Sequence, residues 1–141
     1  MDAQVLAEKV REVMLADDAA TGMLGMQITA IAPGRAVVTM AVRADMLNGF
    51  AICHGGLIAT LADSAFAFAC NSRNALTVAS GFGIDILKPA KLGDVLTAVA
   101  EEASLAGRTG LYDVTVKSQH GELIAMFRGR SYRLGDRKVI A

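Results

Sequence analysis

A polar, glycine-rich loop leads directly into an apolar helix that carries one formal charge, and together these residues could act on a carbonyl group. The loop contains Asn48 and His54, Gly55 and Gly56 open the helix, and Asp63 lies near its middle. The first amides of a helix lack intrahelical partners and carry the positive end of its dipole, so they can hold a polarised carbonyl oxygen. The glycines also let a ligand approach the backbone closely. Alternatively, they only form a tight loop.

Asp63 is the strongest chemical signal in this stretch. Its neighbours Leu61, Ala62, Ala65 and Phe66 are apolar, and a carboxylate buried among them is costly unless it has a partner or a function. An ionised Asp63 could act as a general base toward water or attack a carbonyl directly. Alternatively, it accepts structural hydrogen bonds. The adjacent loop favours a function.

The spacing along the helix predicts a site shared between two subunits. Gly55 and Asp63 are eight residues apart, which is roughly 12 Å along one helix, so a single carbonyl cannot touch both. Two central helices packed antiparallel across a two-fold axis would bring Gly55 of one subunit beside Asp63 of the other. We therefore predict a homodimer, consistent with a hydrophobic content of 53%, which is high for a soluble monomer.

The loop side chains allow several roles. Asn48 can donate an amide hydrogen to the same carbonyl oxygen or cap the turn that it forms with Gly49. His54 could be a helix N-cap, a substrate contact or an acid, and its position favours an orienting role. A Cys53–His54 nucleophile is a weak interpretation, since adjacent residues point apart. The spacing of Cys53, His54, Cys70 and His120 matches no zinc pattern, so we expect no metal.

Two later features could serve a ligand. Gly81 and Gly83 interrupt one face of a long strand, which indicates either space for an acyl group or strong curvature around the helix. A group of basic residues could hold a phosphorylated carrier or simply form a solvated face. These residues are Lys88 and Lys91 in one turn, and Arg128, Arg130 and Arg133 on the last strand.

The elements that position these residues follow from hydrophobic periodicity. The pattern predicts an N-terminal amphipathic helix over residues 2–19, ended by Thr21-Gly22, and a central helix over residues 55–71. Strands are predicted over residues 26–31, 35–42, 76–86, 95–105, 110–118 and 123–133, with a type II turn at Pro33-Gly34 and a frayed tail over residues 134–141. This order indicates one α+β domain over residues 1–141, in which a curved antiparallel sheet wraps an apolar helix.

Composition excludes several classes of partner. Lys+Arg and Asp+Glu both number 14, and a net charge of zero argues against nucleic acid. The longest apolar run, residues 57–70, contains Asp63 and is shorter than the roughly 20 residues that cross a bilayer. Residues 1–20 lack the apolar region of a signal peptide. The two cysteines lie too far apart along one helix to bridge, so we expect a reducing, cytoplasmic location.

Several motifs together resemble the hotdog-fold acyl-CoA thioesterases, specifically the phenylacetic acid degradation (PaaI-type) branch of the hydroxybenzoyl-CoA thioesterase superfamily. The resemblance spans about residues 24–132, and the spacing of Asn48, His54-Gly55-Gly56 and Asp63 is its most specific part. The other matching motifs are Met46-Leu47-Asn48-Gly49, Asn71-Ser72, Lys88-Pro89 and Phe127-Arg128-Gly129.

The resemblance implies a helix wrapped by a curved antiparallel sheet, paired into homodimers and usually homotetramers, that hydrolyses an acyl-CoA to the acid and CoA without a cofactor. By position, the Gly55 amide and Asn48 would polarise the thioester carbonyl, and Asp63 of the facing subunit would activate water or attack. His54 would support the loop. Gly81 and Gly83 depart from the pattern, because relatives often place polar side chains there near the attacking water. The candidates for that role are Ser64, Thr77 and Ser80.

The same family implies a phenylacetyl or hydroxyphenylacetyl thioester as the first choice of substrate. Two alternatives remain at this point: an acyl-CoA-binding sensor without turnover, and a dehydratase or hydratase of hydroxyacyl thioesters, which would rely on His54. The sensor usually comes fused to a DNA-binding segment, for which residues 1–141 leave no room. Asp63 with Asn48 fits hydrolysis better than hydration, and the cost of burying Asp63 disfavours a purely structural oligomer.

Overall fold

The computed structural model describes all residues from Met1 to Ala141, as three α-helices, a short 3-10 helix and six strands. The helices are α1 (Ala3–Ala16), α2 (Ala19–Met23) and α3 (Gly55–Asn71), with the 3-10 turn at Ala44–Met46. The strands are β1 (Gln27–Ala32), β2 (Arg35–Ala41), β3 (Ala75–Ile86), β4 (Val95–Ala106), β5 (Thr109–Lys117) and β6 (Leu123–Lys138). The predicted α+β architecture is confirmed.

The six strands form one antiparallel sheet that wraps α3. Their order is β1-β2-β4-β5-β6-β3, and all six contact the helix. Along β2, β5 and the first half of β4 every second residue is buried, as expected for strands with one face on a core. On β6, Gly129 makes room for the helix: the ring of Phe66 lies 2.7 Å from where a Cβ at Gly129 would be.

Two predicted boundaries are wrong, one because of a local helix cap and the other because of contacts between distant residues. The N-terminal helix does not run to residue 19, because Asp18 Oδ1 accepts a hydrogen bond from the Thr21 amide at 3.0 Å and caps a new helix, α2. The tail is not frayed, because β6 continues to Lys138. Beyond it, the Asn74 side chain holds Ile140 through hydrogen bonds of 2.8 and 3.0 Å to its amide and carbonyl.

The remaining features match the sequence closely. Ser72 ends α3 by donating its hydroxyl to the Ala69 carbonyl at 2.7 Å, as expected of a polar stop. Gly34 has a φ of +74°, which the predicted turn requires. Both cysteines are free. No helix combines the length and the apolar character needed to span a bilayer.

Thr21→Val is expected to stabilise the fold by about 1 kcal/mol. The Thr21 hydroxyl is fully buried and has no hydrogen-bond partner, so a methyl group removes its desolvation penalty. Urea unfolding of the variant would show a higher midpoint with an unchanged m-value. Ser72→Ala is the contrasting control: its buried hydroxyl also accepts the Gly34 amide at 2.8 Å, so its loss lowers the midpoint. A lower midpoint for Thr21→Val would refute the prediction.

Candidate active site

Asn48 both closes the loop and keeps a free donor. Its Oδ1 accepts hydrogen bonds from the amides of Phe50 at 2.9 Å and Ile52 at 3.3 Å. A backbone N–H can only donate, so these bonds fix which side-chain atom is the oxygen. No protein acceptor lies within hydrogen-bond distance of Nδ2. The two roles considered for Asn48 are therefore compatible, because the oxygen caps the turn and the NH2 group remains available to a ligand.

His54 is the N-cap of α3 and leaves one helix amide free. Its Nδ1 accepts the Gly56 amide at 3.2 Å, and its carbonyl accepts the Leu57 amide at 2.9 Å. With Nδ1 accepting, the neutral ring carries its proton on Nε2. The Gly56 amide is thus engaged, whereas Gly55 opens the helix and has no intrahelical acceptor for its N–H. A Cβ at Gly55 would lie 2.9 Å from Ile86 Cδ1, so a larger residue there would displace the end of the Ile86 side chain.

Asp63 faces a largely apolar cavity of about 360 Å³ without a partner inside the subunit. Desolvation by burial is the sole cause that raises the pKa of this half-buried carboxyl. Of the three candidates for orienting water, Thr77 shares the cavity with Asp63, whereas Ser64 and Ser80 do not line it. The other residues lining the cavity are Met14, Phe66, Ala67, Cys70, Asn71, Leu76, Val78, Ala79 and Val139.

Two walls of this cavity come from the ends of the chain and were missed in the sequence. Met14 lies on α1, and Val139 follows β6 in the segment predicted to fray. Val139 and Ile140 are an apolar pair ending an otherwise polar tail, a signal that could have indicated packing. The cavity is therefore lined by residues from both ends of the chain as well as by the sheet and α3.

Neither cysteine has the character of a nucleophile. Burial raises the pKa of Cys70 to about 12 and also raises the pKa of Cys53, so both remain thiols at neutral pH. Cys53 Sγ lies 3.7 Å from the carbonyl oxygen of His54 rather than beside its ring. No three His, Cys, Asp or Glu side chains converge where a metal ion could be held.

The glycines of β3 have different surroundings. The guanidinium of Arg130 lies where a Cβ at Gly81 would be, so the small size of Gly81 serves that packing. Around Gly83 there is open space, and this glycine lines a cavity of about 420 Å³ together with Asp85 and Arg128. The Ser80 hydroxyl donates to the Arg130 carbonyl at 3.2 Å.

The residues of the predicted basic cluster lie in several separate cavities. Lys88 pairs with Glu122 at 3.1 Å and shares a cavity with Lys91. Arg128 forms a bidentate pair with Asp113, with Nε–Oδ1 and Nη2–Oδ2 distances of 2.7 and 2.9 Å. These hydrogen bonds hold the pKa of Asp113 below its usual range and raise the pKa of Arg128. Arg130 and Arg133 line two further cavities, so the five cations do not form one site.

Known proteins are similar to this chain in both sequence and architecture. A family model described as the thioesterase superfamily matches residues 50–125, which include α3. The acyl-coenzyme A thioesterase PaaI of Escherichia coli is 47% identical over 122 residues, covering 86% of this chain and 87% of its own length.

Two solved structures extend the comparison. That of the E. coli PaaI protein from the phenylacetic acid degradation operon superposes with a TM-score of 0.94 at 43% identity, covering 96% and 99% of the two chains. A Streptococcus mutans structure bound to acetyl-CoA has a TM-score of 0.77 at 29% identity, covering 80% of this chain and 91% of its own.

Proposed function

Because the chain belongs to the thioesterase superfamily and is an acyl-CoA thioesterase of the PaaI type, as its motifs predicted, we propose that its substrate is an aryl- or phenylacetyl-CoA-like thioester. The reaction adds the oxygen of water to the thioester carbonyl carbon and breaks the C–S bond. The acid leaves with the new oxygen, and the CoA sulfur receives a proton. No cofactor is required.

The thioester carbonyl is proposed to bind between the free donors at the start of α3. The Gly55 amide and Asn48 Nδ2 are not used inside the chain, while His54 and the Asn48 oxygen hold the loop in place. Two donors aimed at a developing oxyanion stabilise it more than they stabilise the substrate carbonyl. The positive end of the α3 dipole lies at the same position and further stabilises the negative charge of the oxyanion.

The proposal rests mainly on the placement of the Gly55 amide and Asp63 on one continuous helix. Gly55 and Asp63 are eight positions apart on α3, roughly 12 Å, so Asp63 of the partner subunit is proposed to complete the site as base or nucleophile. A homodimer is supported by β3, a twelve-residue edge strand with exposed Val78, Phe82 and Ile86. Such an edge readily pairs with another chain. We propose a homotetramer of two such dimers.

The cavity beside Asp63 is proposed to take the acyl group. Its walls are mainly apolar, include the ring of Phe66, and enclose about 360 Å³, which suits a single aromatic ring. Thr77 is the candidate best placed to orient the attacking water. Among the proposed CoA contacts, Lys91 and Arg130 form no ion pair and are free to meet phosphates, whereas Lys88 and Arg128 would first leave Glu122 and Asp113.

The hydrogen bonding of His54 and the lack of a partner for Asp63 support hydrolysis rather than hydration. In the hydratase alternative His54 would act as an acid or base, but its Nδ1 is committed to the Gly56 amide. The partnerless carboxylate is Asp63, which is the group that hydrolysis needs.

Thiol release from a panel of acyl-CoA esters tests the substrate class. We expect phenylacetyl-CoA and hydroxybenzoyl-CoA to be hydrolysed with at least tenfold higher kcat/KM than decanoyl-CoA, because a cavity of about 360 Å³ suits a single aromatic ring better than a ten-carbon chain. Free CoA would be followed with a thiol reagent. Faster turnover of the long aliphatic ester would contradict the aryl assignment, and binding without release would favour the sensor alternative.

A further inference from the structure

A cavity of about 340 Å³ lies at the opposite end of α3 from the free amides, and four of its nine lining residues are cations. Arg133, Arg137 and Lys138 contribute to it, together with Arg73 just after the helix. Arg73 is neutralised by Glu102, with Nη2 and Oε2 2.8 Å apart. The one other carboxylate that lines the cavity is Asp136. Three cations without ion-pair partners thus face one acid.

Unpaired cations are more concentrated in this cavity than elsewhere on the surface. Five of the 14 Lys and Arg side chains form ion pairs, and three of the remaining ones line this single cavity. Grouped cations repel one another, so three unpaired cations beside a single carboxylate form a site that favours binding of an anion.

A bulge in β6 builds the cavity. The β3–β6 register passes from Thr77 opposite Arg133 to Ala75 opposite Lys138, so residues 134–137 of β6 lie opposite the single residue Leu76 of β3. Gly135 lies within the bulge at a φ of +59°, a backbone conformation that glycine adopts without strain. Bulges of this kind redirect side chains and commonly lie near functional sites. Asn74 also lines the cavity, and its side chain forms hydrogen bonds with both the amide and the carbonyl of Ile140.

We propose that this cavity binds a phosphoryl group. Arginine guanidinium groups meet phosphate oxygens with paired hydrogen bonds, and a neighbouring lysine adds a point charge. The phosphoryl group has two possible sources: the 3′-phosphate of a CoA substrate, which rests on the proposed function, or a separate phosphate ligand, which does not.

The test compares Arg137→Gln/Lys138→Gln with a matched variant, Lys9→Gln/Lys117→Gln, which removes two cations that form no ion pair and do not line the cavity. Calorimetric titration would use inorganic phosphate, CoA and 3′-dephospho-CoA at low ionic strength. We expect the cavity variant to lose about tenfold or more in affinity for a phosphate-bearing probe, and the matched variant to stay within twofold of the wild type.

The probes distinguish the two sources. Weaker binding of CoA with unchanged binding of 3′-dephospho-CoA supports the substrate phosphate, and KM should then rise at constant kcat. Weaker binding of inorganic phosphate with unchanged KM supports a separate ligand. Equal affinities in the two variants, or no binding of phosphate or CoA by the wild type, would overturn the proposal. The cations would then serve only the C-terminus of α3, and a lower melting temperature would show it. Asp63-dependent hydrolysis at saturating substrate tests the proposed function separately.

Discussion

Asp63→Asn is expected to lower kcat for thioester hydrolysis roughly a thousandfold or more. Asparagine keeps the shape of the side chain but can neither take a proton from water nor attack the carbonyl carbon. Its amide fits the half-buried position beside Phe66 and Thr77 without a change in volume. Thiol release under saturating substrate measures the loss. Retained hydrolysis in a folded variant would rule out Asp63 as base or nucleophile.

The same substitution is expected to stabilise the fold at neutral pH. Desolvation raises the pKa of Asp63 in the folded chain above its ordinary value, so the folded state holds its proton to higher pH than the unfolded state. Stability therefore falls as pH rises from the unfolded pKa through the folded one, and above that window the full penalty applies. Asparagine carries no such penalty.

Thermal unfolding at two pH values tests whether the ionised Asp63 carboxylate destabilises the folded state. At pH 7 the variant should melt at a higher temperature than the wild type, and near pH 3, below the ordinary aspartate pKa of about 3.9, the two should melt together. A variant that loses both activity and stability at pH 7 would instead indicate that Asp63 is a structural hydrogen-bond acceptor. The two outcomes separate a functional carboxylate from a structural one.

Asn48→Asp is expected to lower kcat by roughly 10² to 10³. The aspartate retains an oxygen for the amides of Phe50 and Ile52, so the loop is preserved, but it loses the NH2 donor and places a negative charge near the developing oxyanion. Asn48→Ala is the matched control, because it removes the donor and both loop bonds together. A fall in the melting temperature is expected for the alanine variant alone.

Mixing the two inactive variants tests whether the site is shared. A dimer of one Asp63→Asn chain and one Asn48→Asp chain has one site with both functional groups intact and one with neither. Purified mixed dimers should therefore recover about half of the wild-type rate per dimer, a consequence of two-fold symmetry. No recovery in a mixed dimer would show that each site is built within a single chain.

Much of the molecule could be predicted from local patterns. The central helix was predicted with the bounds Gly55–Asn71 that the structure has, because its polar ends and its uninterrupted apolar body are both local signals. The family was also predicted from the loop and helix motifs and is confirmed by the family model and the relatives. The predicted roles of Asn48 and His54 in the loop depended on short-range hydrogen bonds, which the sequence already limits to a few partners.

The sequence by itself determined the residue types at the start and middle of α3, the order of the elements and the family. Only the tertiary structure decided how the distant parts meet. It placed Met14 and Val139 in the cavity that Asp63 lines, placed Arg130 over Gly81, and extended β6 to Lys138 with a bulge beside three cations. Periodicity reports which face of an element is buried. The contacts across a sheet depend on register and bulges, which are set by packing among residues far apart in the chain.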